Sequence, residues 1–421
     1  MTLDAAALDP VDAIVAVNRG RDPLLLARKF EAMATDRFAF LRATAGLAHA
    51  ALNLDELPPA PIGWVCGDAH LNNFGCFRGL NRLVYFDLND FDEAARLPVS
   101  VDLLRLLGSM LTAAPGFGLR REEALTLASE ALHHYAEALA RGKAFWLEPA
   151  TARGPIGALL KQVSARRRRD LLARRTELRR GQRTILIDNQ RTLPLPQEDP
   201  VRGQLTEALK SLGELSESPE YFLPRDFARR VAGMGSLGLP RYVALVRGRG
   251  DPDRNALIDF KLAAPSWASA AFPELPQLAW TDEAQRVVTV QDTCQAASPA
   301  FLTAMSIAGR AFVVRELQPV EDRIALEQLT RQPKRLAETL NSMAQVCAYA
   351  QLRGAGHMGS EQPDAMVEFG FELMVQPRPW IDAARDVDSR NTAAQRIFRA
   401  AWRQRDSRLI RWCKANAARA R

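Results

Sequence analysis

Cysteine is sparse in this chain. Five are present (Cys66, Cys76, Cys294, Cys347 and Cys413), scattered and with no Cys-x-x-Cys pair. That pattern argues against a disulfide framework and a zinc site, and it suits a reducing cytoplasm. His49, His133, His134 and His357 show no metal-ligand spacing either, and they read as structural. No run of eighteen apolar residues occurs, so no transmembrane helix is expected. Met1 to Val17 holds early aspartates and no basic region ahead of an apolar stretch, so no secretory signal is expected. Internal repeats are absent. What remains is an ordinary globular composition, 47% hydrophobic and 25% charged, with a formal net charge of +7. Its 421 residues suffice for two or three packed units.

The pattern of apolar residues gives an order of elements. Residues 23–53 read as helical, with Leu26, Phe30, Met33 and Phe40 on one stripe. Pro58, Pro59 and Pro61 interrupt before a short strand at Trp64-Val65-Cys66. Helices are expected over Val101 to Ala114, 122–145, 157–183 and 201–216. Beyond Pro224 the texture becomes strand-like, with Arg241–Val246, Ala256–Leu262 and Arg310–Leu317 as strands and 281–292 as a helix. From about residue 321 the chain is mainly helical. The expected fold class is α+β.

One stretch names a chemistry. Cys66-Gly67-Asp68-Ala69-His70-Leu71-Asn72-Asn73 is followed by the apolar run Leu83–Phe86 and the acidic turn Asp87-Leu88-Asn89-Asp90-Phe91-Asp92-Glu93. An Asp five residues before an Asn, then a strand ending in carboxylates, suits magnesium-dependent phosphoryl transfer. One Asp orients an attacking hydroxyl, while the Asn amide oxygen and a later Asp hold the metal on nucleotide phosphates. The bland reading is a set of turn-stabilising side chains.

Gly233-Met234-Gly235-Ser236-Leu237-Gly238 adds a glycine loop. Alone, a G-x-G-x-x-G pattern is weak. A dinucleotide-binding version runs directly into a helix. This one runs into Leu239, Pro240 and a strand, the arrangement with which kinases cover nucleotide phosphates. Lys261 on the following strand is placed to neutralise phosphate charge. A plain β-hairpin with glycines at positive φ is the structural alternative.

At these residues the chain resembles the kinase-like phosphotransferases, notably the aminoglycoside and choline kinase-like branch. Gly67-Asp68-Ala69-His70 with Asn73, then Asp90-Phe91-Asp92-Glu93-Ala94, then Asp102-Leu103-Leu104 carry the likeness. Across roughly residues 20–400 it is similar to a bacterial family, domain of unknown function 2252. Phe38–Arg42, Gly67–Gly75, Phe86–Glu93, Gly233–Gly238, Arg286-Val287-Val288 and Val314–Leu317 match. The resemblance implies a two-lobe, protein-kinase-like fold with ATP and Mg2+ as cofactors. The glycine loop follows the catalytic-looking loop by about 165 residues, the reverse of the kinase order, which reads as a circular permutation. Cys66 stands where kinases usually carry a His. The expected organisation is a helical large lobe at 1–222 bearing the catalytic and metal loops. A small antiparallel β-rich nucleotide lobe at 223–320 follows, and 321–421 completes the large lobe.

By that resemblance Asp68 orients or deprotonates the acceptor hydroxyl. His70 touches a phosphate or a neighbouring carboxylate, unless it is a packed loop histidine. Asn73 binds magnesium, together with Asp87 or Asp90, a choice left open. Gly233, Gly235, Ser236, Gly238 and Lys261 bind the nucleotide, with Glu283 as the expected partner of Lys261. Asp102 accepts backbone hydrogen bonds from the catalytic loop, and Arg315-Glu316-Leu317 forms the hinge. The acceptor, a small molecule or a protein, is not legible. Nine arginines between Arg166 and Arg183 read first as a solvated helix face, and secondly as a site for an anionic partner. No aromatic ladder or DNA-reading motif accompanies them, which argues against nucleic acid. Two other functions stay open: nucleotidyl (AMP) transfer on the same fold, and a non-catalytic nucleotide-binding scaffold.

Overall fold

The computed structural model describes residues 9–319 and 322–414. Helices α1 (Pro10–Val17), α2 (Pro23–Thr35), α3 (Arg37–Ala43) and α4 (Ala45–Ala50) open the chain. Strands β1 (Ile62–Val65), β2 (Phe74–Arg78), β3 (Val84–Leu88) and β4 (Ala95–Pro98) form two antiparallel ribbons, β1 with β4 and β2 with β3. Next come α5 (Ser100–Ala113), α6 (Arg121–Ala140), α7 (Gly154–Ala165), α8 (Arg168–Arg175) and the hairpin β5 (Thr176–Arg179)–β6 (Gln182–Ile185). Six further strands follow: β7 (Thr192–Leu193), β8 (Pro224–Arg230), β9 (Arg241–Val246), β10 (Ala256–Leu262), β11 (Thr303–Ile307) and β12 (Arg310–Glu316). They make one antiparallel sheet in the order β11-β12-β10-β9-β8-β7. Helices α9 (Pro200–Glu214), α10 (Trp267–Ala271) and α11 (Glu283–Cys294) lie between strands of the sheet, and α12 (Pro333–Gly354), α13 (Pro363–Val375), α14 (Arg378–Arg403) and α15 (Ser407–Lys414) follow it. The class is α+β with small antiparallel sheets, as the hydrophobic patterning predicts.

The two largest apolar cores organise the molecule. The larger joins α5, α6, α7, α11, α12 and α13 with both ribbons, around residues such as Trp64, Phe86, Leu107, Tyr135 and Leu336. Helix α5 is buried along its whole length: its apolar side chains pack into the core, and its polar ones, Ser100, Asp102, Arg105, Ser109 and Thr112, are buried as well. The second core packs the sheet residues Phe227, Ile258, Phe260, Phe312 and Val314 against Leu205, Leu209 and Leu212 of α9. Strand β12 shows the two-residue alternation. Phe312 and Val314 face α9, whereas Val313 joins the larger core with α11. The two ends of the described chain meet: Phe30 and Phe40 pack on Phe398, with centroids 5.5 and 5.7 Å apart, and Arg408 of α15 pairs with Asp9 at 2.7 Å. Among the described residues no helix is long and apolar enough to cross a membrane.

The structure departs from the expected elements in three places. The single helix expected over 23–53 is three helices. Asp36 ends α2 and caps α3 by accepting the Phe38 N–H at 2.9 Å, and Thr44 separates α3 from α4. The arginine-rich helix over 157–183 is also divided, into α7, α8 and the β5–β6 hairpin. Arg180 and Gly181 turn the chain there with φ of 49° and 78°. Several of its arginines are spoken for. Arg166 grips Asp322 through two bonds of 2.6 and 2.8 Å, Arg168 reaches Glu316 at 2.9 Å, and Arg183 reaches Asp253 at 2.8 Å. Lastly, α9 and β7 precede residue 223 yet belong to the sheet and its core.

Close helix contact fixes how α6 meets α13. A Cβ on Gly370 would lie 2.5 Å from the Ala140 backbone nitrogen and 2.8 Å from the Ala136 carbonyl oxygen. Gly370→Val is therefore expected to destabilise the fold by about 2–3 kcal/mol, read by urea denaturation. An unchanged midpoint would show that the two helices can separate freely.

Candidate functional site

Helix α5 shapes the loop at residues 66–73. Asp102, Arg105 and Ser109 lie at i, i+3 and i+7, one face of the helix. Asp102 accepts the N–H groups of Cys66 at 2.8 Å and Gly67 at 3.0 Å. Arg105 donates to Asp68 Oδ1 at 2.8 Å and also to the Leu41 carbonyl. Ser109 Oγ accepts the Leu71 N–H at 3.2 Å. Three polar side chains on one face of this buried helix thus pin successive parts of the loop. Asp102 thus accepts backbone hydrogen bonds from this loop, as expected, and holds it at Cys66 and Gly67. Arg105 and Ser109 were not singled out from sequence. Their period within an apolar run was the available signal.

Gly67 brings this loop against the acidic turn. Its φ is +77°, and a Cβ there would lie 2.1 Å from the Glu93 carbonyl oxygen, so only glycine fits. Asn73 makes the second link: its Nδ2 donates to the Asp68 carbonyl at 3.1 Å and the Asp90 carbonyl at 2.9 Å. Both bonds use the amide nitrogen, and Asn73 Oδ1 is left buried with no hydrogen-bond partner. An unsatisfied buried oxygen of this kind costs free energy unless something electropositive meets it.

Arg286 of α11 holds the acidic turn through its backbone. It donates to the carbonyls of Ala94 (2.6 Å), Asp92 (2.8 Å) and Ala264 (3.1 Å), and is aligned by Glu283 at 2.7 Å. The expected pairing of Glu283 with Lys261 is therefore corrected. Glu283 binds the arginine one helical turn along, and Lys261 meets the turn itself, with Nζ 2.9 Å from Asp90 and 2.6 Å from Asp92.

The two aspartates left open by the sequence are separated by the structure. Asp87 is 1% exposed and faces away from the cavity, toward Arg353 at 2.7 Å and the Ala296 N–H at 2.9 Å. Asp90 lines the cavity. Burial works to raise the Asp90 carboxyl, but the Lys261 ammonium outweighs it and holds the group below the ordinary range. Burial instead raises Asp68 above its usual value, against the pull of Arg105. His70 accepts the Asn72 N–H at Nδ1 (3.1 Å), which places its proton on Nε2, 3.6 Å from Asp68 Oδ2. Burial, then the charges of Arg42 and Arg105, push this imidazole well below its ordinary pKa, so it is neutral.

The glycine loop runs strand–loop–strand, from β8 to β9. Gly233, Gly235 and Ser236 line the cavity; Gly238 packs against Arg21 and Asp22 outside it. Lys29, fully buried on α2, holds the loop by donating to the Gly235 carbonyl at 2.8 Å and Asn18 Oδ1 at 2.9 Å, and Arg21 donates to the same carbonyl. Sequence gave no hint of this clamp, whose partners lie far apart along the chain. Ser236 Oγ is buried without a partner. The expected hinge carries side-chain bonds: Arg315 donates to the Asn89 carbonyl, and Glu316 pairs with Arg82 and Arg168.

Two spaces result. An inner cavity of about 90 Å³ is lined by Asp68, His70, Asn73, Asp90, Ser236 and neighbours. A cleft of about 1070 Å³ opens outward between the glycine loop, Arg241, Arg315 and Gln318–Pro319. No group of three or more His, Cys, Asp or Glu side chains able to hold a metal occurs among the described residues. A family profile described as an uncharacterized protein conserved in bacteria (DUF2252) matches residues 21–402, and the chain belongs to that family. No curated protein and no solved structure matches the chain.

The loop support is testable by pH. Burial pushes the Asp102 carboxyl up to about 7, while the Cys66 and Gly67 bonds hold it back. A folded pKa above the ordinary 3.8 means that the native state binds this proton more tightly. Its contribution to stability is then full below about pH 4 and is lost as pH rises through 7. Asp102→Asn removes one backbone acceptor and should lower the melting temperature. The deficit against wild type should be largest near pH 4 and smaller at pH 8. A deficit that widens with pH would contradict the assignment.

Proposed function

We propose that this protein is an ATP- and magnesium-dependent phosphotransferase on a circularly permuted kinase-like fold, acting on a hydroxyl acceptor. The observation that carries this reading is Asn73. Its amide nitrogen is tied to both loops, and its unpartnered oxygen is buried in the same cavity as the Asp90 carboxylate. An amide oxygen and one carboxylate suit a hard cation that takes its remaining ligands from phosphates and water, and they need no cluster of three acidic side chains. The nearness of the described chain ends supports permutation, because joining them and opening the chain elsewhere would leave the packing intact.

In this reading Asn73 and Asp90 would hold magnesium, which supplies charge neutralisation on the phosphates. Lys261, now between Asp90 and Asp92, would turn to the phosphates. The backbone at Gly233–Ser236 and the free Ser236 hydroxyl would cover them. Asp68, fixed by Arg105 through one oxygen, presents the other toward His70 and the cavity. There it would align the acceptor hydroxyl and take its proton as the oxygen–phosphorus bond forms and ADP leaves. Positioning and electrostatics would supply most of the acceleration. Asp87 takes no part in this scheme.

Incubation of the protein with Mg-ATP, with water as the fallback acceptor, followed by phosphorus NMR, tests the chemistry. ADP with phosphate is expected. AMP with pyrophosphate would indicate nucleotidyl transfer instead. Asp68→Asn keeps the Arg105 hydrogen bond, and it should lower turnover by about 10²–10⁴-fold without weakening ATP binding. Retained turnover in that variant would remove Asp68 from its role.

A further inference from the structure

Six residues line both the inner cavity and the outer cleft: Arg42, Asn72, Asp90, Gly233, Met234 and Arg323. They mark the junction between the two spaces. Two of the six are arginines, and neither guanidinium makes a hydrogen bond or ion pair with a described residue. Arg42, at the end of α3, lies over the Phe38 ring at 5.9 Å, and its Nε is buried with no partner. Arg323 packs its stem beside Gly75.

Other arginines around the two spaces each engage a protein group. Arg230 and Arg241 each reach Asp259 at 2.6 Å, Arg315 binds the Asn89 carbonyl, and Arg21 binds the glycine loop. Arg42 and Arg323 are the exceptions, and they disfavour each other. Burial, followed by the charge of Arg42, pushes the Arg323 guanidinium down to about 10. Asp90 is a carboxylate near both guanidiniums, and Asp68 and Asp36 also lie near Arg42, yet no acceptor among the described residues meets their ten N–H donors, and an anion at the junction would satisfy them.

We propose that Arg42 and Arg323 form a two-arginine grip on the terminal phosphoryl group of the nucleotide as it passes to the acceptor. The proposal rests on the phosphotransferase reading above. With the nucleotide in the outer cleft and the acceptor hydroxyl at Asp68 in the inner cavity, the group in transit lies at their junction. During transfer the bond from phosphorus to the β-phosphate bridging oxygen breaks, and its electron pair leaves with ADP. The acceptor oxygen bonds to phosphorus and its proton goes to Asp68. Negative charge stays on the three equatorial oxygens throughout, and planar guanidiniums meet such oxygens with paired N–H bonds.

Calorimetry with Mg-ATP, Mg-ADP and inorganic tripolyphosphate, on wild type, Arg42→Gln and Arg323→Gln, tests the grip. Each variant should bind Mg-ATP about tenfold or more weakly, in line with the loss of a charge-assisted hydrogen bond, and should bind Mg-ADP within about twofold of wild type. Without ligand each should melt at or above the wild-type temperature, because a buried charge with no hydrogen-bond partner has been removed. A lowered melting temperature with equal loss of ATP and ADP would assign the arginines a structural role and overturn the grip, while leaving the phosphotransferase reading standing. Unchanged ATP affinity would overturn it in the same way. Arginine-dependent binding of tripolyphosphate by a protein that binds neither nucleotide would overturn both the nucleotide reading and the assignment to a transferred phosphoryl group.

Discussion

The constraint on which the site depends is one polar face inside a buried helix. Asp102, Arg105 and Ser109 of α5 hold the backbone at Cys66 and Gly67, the side chain of Asp68 and the backbone of Leu71. A helix fixes the spacing of its side chains far better than a loop can, so a loop written onto a helix inherits that precision. Burial strengthens each bond and makes its loss costly. The Asp102 pair of N–H bonds acts first in this chain of support, because Gly67 must sit where its missing side chain lets the Glu93 carbonyl approach. From that contact the acidic turn is placed, and from the turn Lys261.

Segments far apart in sequence meet through backbone capture. Arg286 holds three carbonyls of the acidic turn and the segment after β10, Lys29 holds the glycine loop, and Asn73 ties the loop at residues 66–73 to Asp90. Each donates to backbone carbonyls, which a rotamer change cannot displace. The atoms left over, Asn73 Oδ1, Ser236 Oγ and the Arg42 guanidinium, all border the same cavity. Arg21 Nε at the same cavity, with Asn89 Oδ1 and Arg105 Nη1 close by, is likewise buried without a hydrogen-bond partner, so unsatisfied donors and acceptors gather in this region.

Legibility in the sequence followed the range of the interactions. Strands β9 and β10 were readable residue for residue, because continuous β-branched and apolar runs declare a buried strand locally. The Asp68–Asn73 spacing and the acidic turn were readable for the same reason. Asp87 and Asp90 were not separable, since a three-residue difference at a strand end decides which face a carboxylate takes. Arginine favours helices, so the run from Arg166 to Arg183 read as one, yet Arg180 and Gly181 turn it into a hairpin. Glu283 was given to Lys261 by analogy, whereas a local i,i+3 partner was closer at hand. Lys29 lies 206 residues from the loop it clamps, and no local pattern could announce that pairing.

The most direct test of the account is calorimetric titration of Mg-ATP into wild type, Asp90→Ala and Asp87→Asn, each shown to be folded. The account predicts magnesium-dependent binding by wild type, its loss in Asp90→Ala, and its retention in Asp87→Asn. Binding that survives in Asp90→Ala, or folded wild type that binds no Mg-ATP, would contradict the central claim that the Asn73–Asp90 junction is a metal–nucleotide site.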